Sequence, residues 1–216
     1  HTRWATHGEP SERNAHPHTD TSGDIALVHN GIIENHAAIR QYLLSEGITF
    51  SSETDTEALV QLIGFLYRNV DKKNVPDALM SAVCGALREI EGTFGIAVLC
   101  ADEPGLIIAA RRGSPLLVGI GNGENLIASD GSAVIEHTSR VVYLKDDEVA
   151  IVDTEGVSIS TIDAKSIRNE VQVERLELSL EQIERGGYTH YMLKEIHEQP
   201  EAIQNTLRGR IDPSHL

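Results

Sequence analysis

Three short stretches of this sequence carry side chains able to act on a small polar ligand. Arg3 offers a planar guanidinium fork that matches a carboxylate in a way lysine cannot, although a plain salt bridge is its simplest use. Asp55 opens a predicted helix, where unpaired amides and the helix dipole favour its ionised form, so it either holds an ammonium group or caps its own helix. His29-Asn30-Gly31 follows a short apolar run. The Asn30 amide and the Gly31 N–H can both point at a developing oxyanion and neither titrates; an ordinary turn is the competing reading. Together the three supply a carboxylate clamp, an ammonium acceptor and an oxyanion site, the set an amide-bearing α-amino acid requires. Glutamine fits that description.

A nucleophile is missing from this set. Cys84 lies among Ala82, Val83 and Ala86 on a predicted helix and Cys100 ends an apolar strand, so both read as small buried hydrophobes. The imidazoles of His1, His7, His16, His18 and His29 raise the question of a metal. Their spacing has no HExxH pattern, no cysteine stands near, and the pair at 16 and 18 brackets a proline. Hydrogen bonding or substrate contact is expected instead, with no metal and no cofactor. The run Gly119 to Gly123 joins two strands and opens no helix, so it reads as a hairpin turn and not as a phosphate loop.

The elements that must position these groups can be read from periodicity. Residues 1–24 have neither a helical nor a strand period and form a long irregular segment. Ile25 to Val28 is a buried strand predicted to stop at a turn over His29-Asn30-Gly31. A helix is predicted from Glu34 to Gly47 on the positions Ile39, Tyr42 and Leu43. Thr54 to Glu57 has the form of a capping box and starts a second helix with a stripe of Leu59, Leu62, Ile63, Leu66 and Val70. Pro76 suits the first turn of a third, burying Leu79, Val83, Ala86, Leu87 and Ile90. Seven short apolar runs from Phe94 to Ile162, separated by turn residues, then predict antiparallel hairpins. The class is α+β with segregated helices. Beyond about residue 180 the chain turns helical, with one helix over Tyr191 to Glu198 and a second opened by Pro200 and closed by Gly209.

Composition bounds what such a chain can meet. Its 216 residues are about 1.4 times a typical domain, and 40% hydrophobic content is that of a folded protein. A net charge of -15 repels phosphate backbones and anionic lipid, so neither nucleic acid nor membrane is an expected partner. No apolar run nears the roughly 18 residues needed to span a bilayer. Two unpaired cysteines point to a reducing compartment, the cytoplasm. The first residues contain no signal peptide and no initiating Met, and the chain looks cut at its front.

Four motifs in order then carry a resemblance. His1-Thr-Arg-Trp-Ala-Thr-His-Gly-Glu-Pro10, Asn14-Ala-His-Pro-His18, His29-Asn-Gly-Ile-Ile-Glu-Asn35 and Ser52-Glu-Thr-Asp-Thr-Glu57 closely resemble the glutaminase domains of the glucosamine-6-phosphate synthase family. The similarity continues through Arg112 to Leu116, Glu124 to Asp130 and His190 to Ile196, covering essentially the whole chain. Amidophosphoribosyltransferase, of the same N-terminal-nucleophile class, shares the Arg, Asn-Gly and Asp elements.

The resemblance implies a four-layer αββα sandwich of N-terminal-nucleophile hydrolase type, here lacking its first strands and helix. It implies a partial amidotransferase domain over residues 1–185, with 186–216 a connector to a sugar isomerase half of an oligomeric parent enzyme of amino-sugar synthesis. L-Glutamine would be the substrate. Arg3 would hold its carboxylate and Asp55 its ammonium; Asn30 and Gly31 would form the oxyanion hole; Thr6 and His7 would line the pocket. Trp4 would gate an ammonia channel, simple aromatic packing being its other use. The attacking group would be an N-terminal Cys with its own α-amine as base, absent before His1. On this reading the fragment is inactive alone, and a binding module is the alternative.

Overall fold

The computed structural model describes residues 8–71, 77–154, 156–163, 171–176 and 187–207. Arg3, Trp4, Thr6 and His7 therefore lie outside the described residues, as do Pro76 and Gly209. The chain divides into two compact units, His1–Leu176 and Glu177–Leu216.

The first unit is built on antiparallel strands of ordinary period 2. β1 (His18–Thr19) pairs with β2 (Ile25–Ile33), which pairs along its whole length with β3 (Gly92–Cys100). β4 (Ile107–Arg112), β8 (Glu148–Val152) and β9 (Val157–Thr161) complete a six-stranded sheet in the order β1-β2-β3-β4-β8-β9. A four-stranded sheet holds β5 (Leu117–Ile120), β6 (Asn125–Ala128), β7 (Arg140–Tyr143) and β10 (Glu174–Arg175), in the order β10-β7-β5-β6. The predicted hairpin at Gly121 to Gly123 joins β5 to β6, with the Gly121 N–H donating to the Glu124 carbonyl at 2.9 Å.

Three helices of this unit, α1 (His36–Ser45), α2 (Asp55–Asn69) and α3 (Ala78–Glu89), pack their apolar faces on the six-stranded sheet. Leu59, Ile63, Leu79 and Leu87 meet Ile25, Leu27, Phe94 and Ile96 in the largest core cluster. A second cluster, with Ala109, Val118, Val142 and Ala150, lies between the sheets. A third, Leu117, Val134, Val141 and Leu176, belongs to the other face of the smaller sheet. The described residues of this unit thus give an α, β, β order. α2 is buried around most of its circumference, which explains why Thr56, Glu57 and Gln61 are buried beside its apolar stripe.

Three sequence expectations change. The strand does not stop at Val28: β2 runs through His29-Asn30-Gly31 to Ile33, because β3 offers it nine consecutive partners. Tyr42 is exposed and does not belong to the buried face of α1. In the second unit, Pro200 does not open a new helix but sits within α4 (Tyr191–Leu207). A proline there removes one backbone donor, and the remaining turns carry the helix past it.

The start of α2 is held by a polar network, and the capping box is only half of what the pattern predicted. Thr54 Oγ1 accepts the Glu57 N–H at 3.1 Å, but the Glu57 carboxylate reaches past the cap to the loop before it. It takes the Ser51 N–H at 2.7 Å and the Ser52 N–H at 2.6 Å, together with both serine hydroxyls. Burial works against the Glu57 carboxylate, yet these donors outweigh it and hold its pKa below the ordinary 4.5. A depressed folded-state pKa gives stability that is complete above the unfolded value and is lost as pH falls through the folded one. The melting difference between the native chain and Glu57→Gln should accordingly be large at pH 7 and shrink below about pH 4. Thermal melts of both proteins across that range check it.

Candidate functional site

The geometry of β2 sets the site. With a period of two, Ile25, Leu27, His29 and Ile33 face the helices, while Val28, Asn30 and Ile32 face the space between the sheets. The Asn30 side chain is exposed there and lines a cavity of about 800 Å³. Gly31, His29, Asp55, Thr56, Thr93 and Gly95 line it from the larger sheet and its helices; Leu116, Ile127, Ser129 and Ala133 line it from the other side. Asn30, Gly31 and Asp55, separated by up to 25 positions in sequence, share one cavity. Arg3, Trp4, Thr6 and His7 are not among the described residues.

Backbone direction adds a second observation. Even-numbered residues of β2 bond to β3, so the odd-numbered N–H groups point to the opposite, outer edge. There the Ile25 N–H donates to Asp20 Oδ1 at 3.1 Å, the His29 N–H to His16 Nδ1 at 3.3 Å, and the Ile33 N–H to Asp55 Oδ2 at 2.9 Å. Gly31 lies between the last two, and the alternation aims its N–H at the same edge, beside the exposed Asn30 amide.

Glycine is needed at this point. Its φ is +138°, and a Cβ there would collide with the Thr93 carbonyl, 2.7 Å from its carbon.

Asp55 is not the cap of its helix, since Thr54 takes that role. It is the first residue of α2, 2% exposed, and its carboxylate is aligned by two backbone donors: Ile33 N–H on Oδ2 at 2.9 Å and Thr56 N–H on Oδ1 at 3.0 Å.

Several lining residues were not singled out by sequence. In sequence His29 reads only as one of several imidazoles, although a polar residue in the buried phase of Ile25-Leu27-His29 is the signal that marks it. It is 4% exposed, with Nδ1 3.0 Å from Thr56 Oγ1 and Nε2 3.4 Å from the Thr93 carbonyl oxygen. Thr56, Thr93 and Gly95 left no pattern by which to find them.

The two cysteines are remote from this chemistry. Both are buried, and burial pushes the Cys84 thiol up, with Arg88 only partly offsetting it. His18 Nε2 lies 3.0 Å from Thr54 Oγ1 and its ring stands edge-on to His16 at 5.1 Å. Among the described residues no three His, Cys, Asp or Glu side chains are grouped to hold a metal ion, and no helix is long and apolar enough to cross a membrane.

Comparison with known proteins gives this cavity a context. A protein-family model described as a glutamine amidotransferase domain matches residues 1–136. A glutamine--fructose-6-phosphate aminotransferase [isomerizing] of Chlorobaculum tepidum is 51% identical over 211 residues, covering 98% of this chain and 33% of that protein. Proteins of the same name from Caldanaerobacter subterraneus and Methanosarcina acetivorans are 48% and 47% identical, again covering 98% of this chain, and 33% and 34% of their own lengths. The chain thus spans about a third of the length of the curated relatives it matches. Among solved structures, the glutamine phosphoribosylpyrophosphate amidotransferase of B. subtilis aligns with a TM-score of 0.57 at 22% identity, over 79% of this chain and 35% of that one. An allosteric regulatory enzyme of purine biosynthesis aligns with a TM-score of 0.59 at 24% identity, over 75% and 34%. These two likenesses speak to the fold alone.

Proposed function

This chain belongs to the glutamine amidotransferase domain family, and from that premise we propose that its inter-sheet cavity binds L-glutamine and stabilises the hydrolysis of the side-chain amide. The observation that carries the reading is the convergence of the Asn30 amide, the outward-facing Gly31 N–H and the Asp55 carboxylate on one cavity.

In this reading Asp55 holds the α-ammonium of glutamine and Arg3 its α-carboxylate. A thiolate attacks the amide carbon, and the oxygen takes up negative charge. The Asn30 amide and the Gly31 N–H stabilise that charge as it forms, which is where a fixed donor has its largest effect. The C–N bond then breaks, ammonia departs with the proton moved by an α-amine, and water releases glutamate from the thioester. Neither cysteine of this sequence lines the cavity, so the thiolate is assigned to an N-terminal Cys of the parent chain. By their place in the first motif, Thr6 and His7 are assigned to the substrate pocket and Trp4 to the gate of the ammonia path.

The name shared by the relatives extends the proposal. Residues 1–185 are the glutaminase part of a longer cytoplasmic, oligomeric protein, and 186–216 lead to a sugar isomerase part. There the ammonia converts fructose 6-phosphate to glucosamine 6-phosphate. The test is glutaminase activity of the parent-length enzyme with Asp55→Asn. Loss of a buried charge partner costs about 2 kcal/mol or more, so the KM for glutamine should rise roughly 30-fold or more. An unchanged KM would remove Asp55 from the ammonium site.

A further inference from the structure

We infer that His29 is a positioning residue that holds the Asp55 carboxylate in register with the Asn30–Gly31 edge, and that through Asp55 it makes the site select amides bearing an α-amino group. The inference rests on the assignment of Asp55 to the substrate ammonium and adds a residue that acts through Asp55.

The His29 ring lies where three elements meet. It projects from β2, approaches Thr56 Oγ1 on α2 to 3.0 Å, and approaches the Thr93 carbonyl oxygen on β3 to 3.4 Å. Its Nδ1 is also 4.0 Å from Asp55 Oδ2. The ring thus packs beside the carboxylate and ties the strand that carries Asn30 to the first turn of α2.

Position reinforces chemistry. Asp55 accepts backbone N–H groups from Ile33 and from Thr56, the residue that also holds the ring. Adjacent side chains on a strand point to opposite faces, so His29 locks the helix side of β2 where Asn30 emerges on the cavity side. Removing the imidazole leaves Thr56 without its ring partner beside a buried carboxylate, and the start of α2 can shift against β2.

The measurement is the ratio of kcat/KM for glutamine to that for 4-carbamoylbutanoate, which has the same amide and carboxylate but no α-amine, in the parent-length enzyme. A general loss of packing lowers both values together and leaves the ratio alone. The native enzyme should favour glutamine by roughly 30-fold or more, the effect of one buried charge pair. His29→Ala should bring the ratio below about threefold, with 4-carbamoylbutanoate hydrolysis retained. His29→Asn, whose amide can still bond Thr56 from the Nδ1 position, should restore most of it. Thr56→Val, nearly isosteric with the native residue, should reproduce the loss if His29→Ala fails to fold. If Asp55→Asn collapses the ratio while His29→Ala and Thr56→Val keep it, the positioning role is overturned and the ammonium assignment stands. If Asp55→Asn also keeps the ratio, the ammonium assignment falls and takes this inference with it.

Discussion

Replacing Asn30 by alanine is expected to slow glutamine hydrolysis by the parent-length enzyme about 10²- to 10³-fold, with the KM for glutamine within about threefold of native, because an oxyanion donor acts on charge present only in the transition state. The structure supports this separation of effects. Asn30 stands on the cavity face of β2, and its strand partner Gly95 presents no side chain that would compete for the same space. Asn30→Asp should be at least as damaging, since it replaces two donors by acceptors and adds a negative charge where one develops. Steady-state release of glutamate across a glutamine titration separates the outcomes. A raised KM with kcat intact would instead place Asn30 in ground-state binding.

The second large effect is expected at Gly31. A residue with a Cβ at φ +138° carries backbone strain of about 1–3 kcal/mol. The collision with the Thr93 carbonyl adds an overpacking cost of about 1–3 kcal/mol, since β2 and β3 are paired on both sides of it and cannot simply part. Gly31→Ala should therefore lower the melting temperature by roughly 5–20 °C, at about 2–4 °C per kcal/mol for a chain of this size. In the parent-length enzyme it should also remove most glutaminase activity, because relief of the collision moves the N–H that faces the cavity. A melting temperature within about 2 °C of native would show that the strand pair yields at no cost, contrary to its geometry.

Much of this site was legible before any coordinates. Thr54 marked the start of α2, and the stripe through Leu59, Leu62 and Ile63 marked its buried face. Asn30, Gly31 and Asp55 stood out because their chemistry fits an amide and an ammonium, and the fold brings all three to one cavity. What sequence missed lies in tertiary pairing. His29-Asn30-Gly31 looks like a turn locally, and only the nine-residue match with β3 keeps it extended. Pro200 looks like a boundary, yet α4 continues through it. Glu57 matched the capping box by spacing, but Ser51 and Ser52 offered its carboxylate four donors where the cap offered one. Thr56 and Thr93 carry no pattern of their own, because their part depends on which ring the fold sets between them.

The outer edge of β2 has a further consequence. A strand with several unsatisfied amides along one side is a template onto which another chain can zip, and proteins protect such edges. Here the amides flanking Gly31 are already taken by the side chains of His16 and Asp55. Among the described residues an incoming peptide backbone, which needs a row of donors at regular spacing, meets one isolated N–H along this stretch and cannot form a ladder. The edge that receives a single oxygen of a small molecule is thereby closed to aggregation by strand addition.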